Sequence, residues 1–266
     1  MIDRGKYNLL GVLVNAIDYE AAVERVIVAA KSRQSLTVSA LAVHGVMTGV
    51  MNPEHRYRLN KLDLVVPDGQ PVRWALNALY RVSLKDRVYG PKLMLKVCER
   101  AARERLPVYF YGSRAEVLNL LCKNLQQQFP ELIIAGSRPS FFRQLTEEEQ
   151  LSVAANIKSS DAAIVFVGLG CPRQEVWIYE HRDILSVPTL AVGAAFDFHA
   201  GTLPQAPHLL QSYGLEWAFR LTKEPRRLWR RYMLLNPLYL ILVLSQYLGL
   251  YHFDTSGLVP KPLRYG

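Results

Sequence analysis

The strongest constraint on this chain is an alternation that runs along most of its length. Short runs of β-branched and aromatic residues are separated by longer stretches with apolar residues at helical spacing. Strands are expected near 8–14 (NLLGVLV), 36–43, 62–66, 107–111, 131–135, 162–168 and 188–193. Helices are expected at about 18–32, 45–60, 70–80, 91–105, 114–128, 146–158 and 172–185. Segment 114–128 puts Val117, Leu118, Leu121, Cys122 and Leu125 on one face, as a helical period requires. Strands that each hand over to a helix build an α/β fold. Its expected form is Rossmann-like, an open, mainly parallel sheet with helices on both faces.

The remaining chain has a different character. Residues 1–205 form the expected α/β domain, and 206–253 a helical appendage, first Arg-rich and then apolar. Residues 254–266, with Pro260 and Pro262, are expected to be a loose tail. Between Glu216 and Arg231 lie Arg220, Lys223, Arg226, Arg227, Arg230 and Arg231 against only Glu216 and Glu224, a concentrated share of the chain's net charge of +9. Such a patch implies an anionic partner: a phosphorylated small molecule, lipid head groups or nucleic acid. The stretch 232–251 has no charge, yet Asn236-Pro237, Gln246 and four tyrosines suit a membrane interface better than a bilayer span. A core or oligomer helix, with homo-oligomerisation, is the other reading of that stretch.

Open parallel sheets bind ligands beyond the carboxyl ends of their strands. The loops expected there read Pro67-Asp68-Gly69, Tyr111-Gly112-Ser113, Ala135-Gly136-Ser137, Gly168-Leu169-Gly170 and Gly193-Ala194-Ala195-Phe196-Asp197. Small residues let a ligand approach the backbone, and the N–H groups of a following helix attract phosphate. On this reading Gly112, Gly168, Gly170, Gly193 and Ala194 clear space, with Phe196 and Asp197 beside them. Pro172 opens a helix as a first-turn proline, and Gln174 and Glu175 face the ligand. Each glycine is also what an ordinary strand-to-helix turn requires. No GxGxxG follows the first strand and no GxxxxGK[ST] occurs, which disfavours a nucleotide-dependent oxidoreductase or a P-loop.

Asp68, in VVPDGQPV, is a carboxylate at a strand end, available to take a proton; Pro-Asp-Gly is equally a common turn. An unperturbed aspartate, with a pKa of about 3.9, is a weak base unless burial raises its proton affinity. Asp197 is a second candidate, or a satisfier of local backbone donors. His44 is a candidate base or phosphate ligand, although a histidine beside a strand is commonly structural. Cys98, Cys122 and Cys171 are odd in number with no CxxC pair, and His181, His199 and His208 have no zinc spacing. The chain also has no Asp-x-Asp. Neither a metal nor a cofactor is expected; protein cations would balance phosphate charge. Arg227, Arg230 and Arg231 share one side of a helix, and Arg220 precedes them across Pro225. Guanidinium groups of this kind bind phosphate by paired hydrogen bonds.

LDLVVPDG, VFVGLGCPRQEVWI, VGAAFDFHAGTLPQAP and GLEWAFRLTKEPRRLWRRY resemble, in order and spacing, the bacterial WecG/TagA/CpsF glycosyltransferases, over roughly residues 8 to 235. The resemblance implies inverting transfer from a UDP-sugar to a polyprenyl-diphosphate-linked sugar, at the cytoplasmic face of the bacterial inner membrane, for surface polysaccharide synthesis. It implies a peripheral or monotopic enzyme, no metal and no nucleic-acid partner. By the same resemblance Asp68 is the general base, Arg87 and Gln174 are active-site residues, and Arg220, Arg227 and Arg230 close over the donor diphosphate. Two departures bear on sugar choice. Ala40 and Ala42 stand where the family usually has Thr-x-Asn, and Pro71 stands where it has a glycine. Ser39 and His44 are the candidate replacements toward the acceptor. The rival to an enzyme is a non-catalytic, basic α/β module that binds membranes or other polyanions.

Overall fold

The computed structural model describes residues 1–266, except that the side chains of His208, Arg227, Arg230 and Arg231 lie outside the described set. Strands β1 (Asp3–Leu9) and β2 (Val12–Ile17) form an antiparallel hairpin, and α1 (Tyr19–Lys31) follows. Next come β3 (Leu36–Leu41), α2 (Val43–Met51), α3 (Pro53–Lys61), β4 (Leu64–Pro67), α4 (Gln70–Tyr80) and α5 (Gly90–Arg103). The chain continues through β5 (Val108–Gly112), α6 (Ala115–Gln128), β6 (Ile134–Arg138), α7 (Glu147–Ser159), β7 (Ile164–Gly168) and α8 (Arg173–His181). Then follow β8 (Pro188–Ala191), α9 (Ala195–Ala200), α10 (His208–Ser212), α11 (Glu216–Lys223) and α12 (Pro225–Tyr247).

Strands β3 to β8 form one sheet in the order β4-β3-β8-β7-β5-β6, with every pairing parallel. Side chains alternate across it, as the two-residue period of a strand dictates. Val108, Phe110, Ile164 and Phe166 join a core with α1, α5, α6 and α9 on one face. Tyr109, Tyr111, Val165 and Val167 join a second core with α2, α4, α7, α8 and the hairpin on the other. The α/β architecture expected from the alternation is therefore present, with helices on both faces.

Local differences have local causes. The run 8–14 is not one strand: Leu10 and Gly11 have φ of 57° and 87° and reverse the chain between β1 and β2. Positive φ at both central residues is what a two-residue hairpin turn of the right twist needs. The helix expected over 45–60 is two, broken at Asn52-Pro53. Asn52 ends α2 and accepts the His55 N–H to cap α3, whose first turn holds the proline. Strand β6 begins later than expected, so Ala135-Gly136-Ser137 is strand rather than loop.

The C-terminal helices pack on the α/β unit. The Tyr239 hydroxyl, on a ring 1% exposed, donates to Pro71 O on α4 (3.1 Å). Gln246 at the far end of α12 accepts from Leu10 N–H and donates to Asn8 O, gripping the hairpin turn. The opposite side of α12 presents Met233, Leu240, Ile241, Leu244 and Tyr247 to solvent. Among the described residues no helix is long and apolar enough to cross a membrane. Residues 254–266, expected to be loose, are held along their length. Leu258 N–H donates to Pro53 O, Arg58 Nη2 to Lys261 O (2.5 Å), Leu145 N–H to Arg264 O (2.7 Å) and Ser140 Oγ to Gly266 O. Backbone and side-chain groups on helices and loops far along the chain recruit the tail; its composition carries no such signal.

Candidate active site

A cleft opens over the carboxyl ends of β4, β3, β8 and β7, where the strand order departs from chain order. This is where an open parallel sheet leaves room, because neighbouring loops turn away from each other. Loops after these four strands line it; those after β5 and β6 do not, because both strands lie at the far edge. Of the residues singled out from sequence, Asp68, Arg87, Gln174, Glu175, Gly170, Gly193, Ala194, His44 and Arg220 line the cleft. Gly112, Gly168, Pro172, Phe196, Asp197 and Ser39 are not among its lining residues.

The residues that miss the cleft have other tasks. A Cβ on Gly112 would stand 2.8 Å from Gly168 C, and one on Gly168 would stand 2.6 Å from the Phe196 ring. These glycines let β5, β7 and α9 close on one another; Phe196 is fully buried and meets Phe110 edge-on at 5.8 Å. Asp197 accepts from the Thr202 hydroxyl, and its carbonyl from Thr202 and Leu203 N–H, closing the turn after α9. Pro172, expected inside the first helical turn, is the residue just before α8, and its peptide bond with Cys171 is cis. Ser39 is fully buried and donates to Glu175 Oε1 (3.1 Å), so it does not face the cleft.

Asp68 directly follows β4, half-buried, with its backbone N–H on Leu41 O. Its Oδ1 accepts the Gly90 N–H (3.1 Å), at the start of α5. Desolvation pushes its pKa up to about 6, with Glu216 adding to the rise and Arg87, Gly90 and Arg220 opposing it. The carboxylate thus has a raised proton affinity and lines the cleft.

Arg87, 7% exposed, stacks over the Tyr89 ring at 4.2 Å and donates to Glu216 Oε2 (2.7 Å) and Gln211 Oε1 (3.2 Å). The Tyr89 hydroxyl donates to the other Glu216 oxygen (3.0 Å). Glu216 therefore ties α11 to the loop before α5 and closes one wall of the cleft. In the sequence it is simply an acid in a basic run, because a pairing 129 positions apart has no local signature. Tyr89, two residues after Arg87, escapes sequence reasoning for the same reason.

Gln174 is 3% exposed. Its Oε1 accepts from Gly170 N–H (3.1 Å), and its Nε2 donates to Glu175 Oε1 (2.8 Å). It also lies under Gly193, where a Cβ would stand 3.2 Å from Gln174 Oε1 on a backbone whose φ of 56° already disfavours a side chain. Gln174 thus pins the loop after β7 and packs against the loop after β8. Glu175 is fully buried, and desolvation raises its pKa. Arg220, on α11, reaches the cleft with a long, 3.9 Å contact to Glu224 beside it. Arg227 and Arg230 lie on α12, but their side chains are outside the described residues. Ala40 and Ala42 line the cleft as well, so apolar methyls stand beside Asp68 at these positions.

Comparison with known proteins gives the family. A chain of Bacillus spizizenii described as N-acetylglucosaminyldiphosphoundecaprenol N-acetyl-beta-D-mannosaminyltransferase is 31% identical over 197 residues, 74% of each chain. The family model "Glycosyl transferase WecG/TagA/CpsF family" matches residues 7–252, which takes in the sheet, the cleft and α12. With matches of this extent, the protein belongs to the WecG/TagA/CpsF family of glycosyltransferases.

Proposed function

We propose that this glycosyltransferase moves a hexosyl or N-acetylhexosaminyl group from a UDP-sugar to a polyprenyl-diphosphate-linked sugar, with inversion at the anomeric carbon. The lipid-linked acceptor follows the activity for which the Bacillus spizizenii relative is named. The observation that carries the mechanism is Asp68: a carboxylate with a pKa near 6 at the cleft. It takes the proton from the acceptor hydroxyl as that oxygen attacks the anomeric carbon. The bond to the UDP oxygen breaks in the same displacement, and Arg220, assisted by Arg227 and Arg230 from α12, balances the charge on the departing diphosphate.

Inversion is supported by the inventory of carboxylates. Glu216 has one oxygen on Arg87 and the other on Tyr89, and Glu175 is fully buried. Neither is placed to act as a second nucleophile, so a single displacement is the simpler chemistry. With Ala40 and Ala42 in place of polar groups, the donor's sugar ring meets methyls there, and donor choice need not follow that of the relative. The exposed apolar side of α12 and the cations of α11 and α12 suit peripheral binding to an anionic membrane at the cytoplasmic face, where the acceptor's lipid resides.

The test is to incubate the protein with a panel of UDP-sugars and N-acetylglucosaminyl-diphosphoryl lipid, following UDP release and glycolipid mass. One donor should yield UDP and a glycolipid lengthened by one sugar. Salt-sensitive binding to any polyanion, with no UDP formed from any donor, would instead establish the non-catalytic binding module.

A further inference from the structure

Beneath the glycine loop after β7 lies a cluster that the transfer reaction does not use. A ring nitrogen of His55, Cys171 Sγ and a Glu175 carboxylate oxygen lie within 4.8 Å of one another. They come from three elements: the first turn of α3, the loop before α8 and the first turn of α8. His55 is 3% exposed and Glu175 is fully buried, while Cys171 also lines the cleft. We propose that His55, Cys171 and Glu175 form a binding site for a thiophilic divalent cation of the zinc class, next to the donor cleft.

One buried atom in particular points to a missing ligand. His55 Nε2 is buried without a hydrogen-bond partner, and Glu175 Oε2 beside it meets no nitrogen or oxygen donor. A buried polar atom without a partner forfeits its hydration without replacement. The other carboxylate oxygen, Glu175 Oε1, is held by Ser39 Oγ at 3.1 Å and Gln174 Nε2 at 2.8 Å. That arrangement orients Oε2, as outer hydrogen bonds commonly orient metal-bound carboxylates.

The donor set fits the cation. Nitrogen, thiolate and carboxylate ligands are those zinc takes, at about 2.0–2.3 Å, which puts tetrahedral ligand atoms about 3.5 Å apart. One thiolate and one carboxylate neutralise a divalent charge. On binding, the Cys171 thiol proton leaves to solvent. Three protein ligands leave one position for water or a ligand oxygen from the cleft. Neither the spacing of the three residues nor any CxxC pair discloses the site, because α3 and α8 meet only in the fold.

The test uses the full chain, stripped with EDTA and titrated with cobalt(II) and then zinc. About one ion should bind per chain, with a thiolate-to-cobalt charge-transfer band that zinc abolishes. Cys171→Ser should remove the band, and His55→Gln should weaken binding by roughly tenfold or more. A second measurement needs no variant: zinc should slow alkylation of Cys171, read by peptide mass, and leave Cys122 unaffected. Absence of the band in the unmodified chain, its persistence in Cys171→Ser, or unchanged Cys171 alkylation with zinc would each overturn the proposal.

Discussion

Replacing Asp68 by asparagine should remove activity and stabilise the fold at the same time. The Asp68 pKa is raised from 3.8 to about 6. Between those values the folded chain holds a proton that the unfolded chain has released, so stability falls as pH rises through the window. The cost is complete above about pH 6 and absent below 3.8. About two units at ~1.36 kcal/mol each set an upper limit of about 3 kcal/mol. Because the carboxylate opens to cleft water, a range of about 1–3 kcal/mol is appropriate. The amide oxygen can still accept the Gly90 N–H, so little is lost in return. In a chain of this size the melting temperature should rise by roughly 3–9 °C near neutral pH, with the gain fading below about pH 4. Transfer should fall by about 10²–10⁴, with UDP binding retained. Calorimetry across pH and a UDP-release assay measure both. A melting gain that is independent of pH would refute the desolvation argument, and full activity would take Asp68 out of the mechanism.

Further outcomes follow from other contacts. In the unmodified enzyme, kcat/KM should climb with pH through about 6 and then level off, since only ionised Asp68 accepts a proton; a flat profile excludes it as the base. Arg220→Ala should lose about 1.5–3 kcal/mol of donor binding, roughly tenfold or more in donor KM, with an unchanged melting temperature. Gly112→Ala places a Cβ 2.8 Å from Gly168 C at a φ of 114°, and should cost about 2–4 kcal/mol in urea unfolding. Ile241→Glu with Leu244→Glu, at positions 63% and 56% exposed, should reduce binding to anionic vesicles while leaving the melting temperature unchanged; a stability loss would instead make that face a protein contact.

The periodic parts of this protein are legible in its amino-acid sequence. Buried parallel strands must be apolar along their length and their covering helices amphipathic, so the α/β class and the helices on both faces follow from local pattern alone. Pro67-Asp68-Gly69 and Gly170 to Glu175 stand out because small and polar residues follow an apolar strand there in consecutive positions, and Asp68, Gly69, Gly170, Gln174 and Glu175 do line the cleft. Local pattern fails where conformation, not composition, decides. Nothing in the apolar run through Leu10 announces its φ of 57°, and nothing in the tail's composition announces that Arg58 and Leu145 will hold it.

Only the tertiary structure decided which of the candidate residues share a cleft. Strand order separates the loop of Gly112 from that of Gly193, although both read alike in the sequence. Glu216 meets Arg87, and His55 meets Glu175, through helices brought side by side by packing. Sequence determines which side chains are available and which local geometry each segment prefers. Distances between chemically active atoms depend on how the sheet orders its strands, because parallel connections carry the chain over a whole helix before the next strand is laid down.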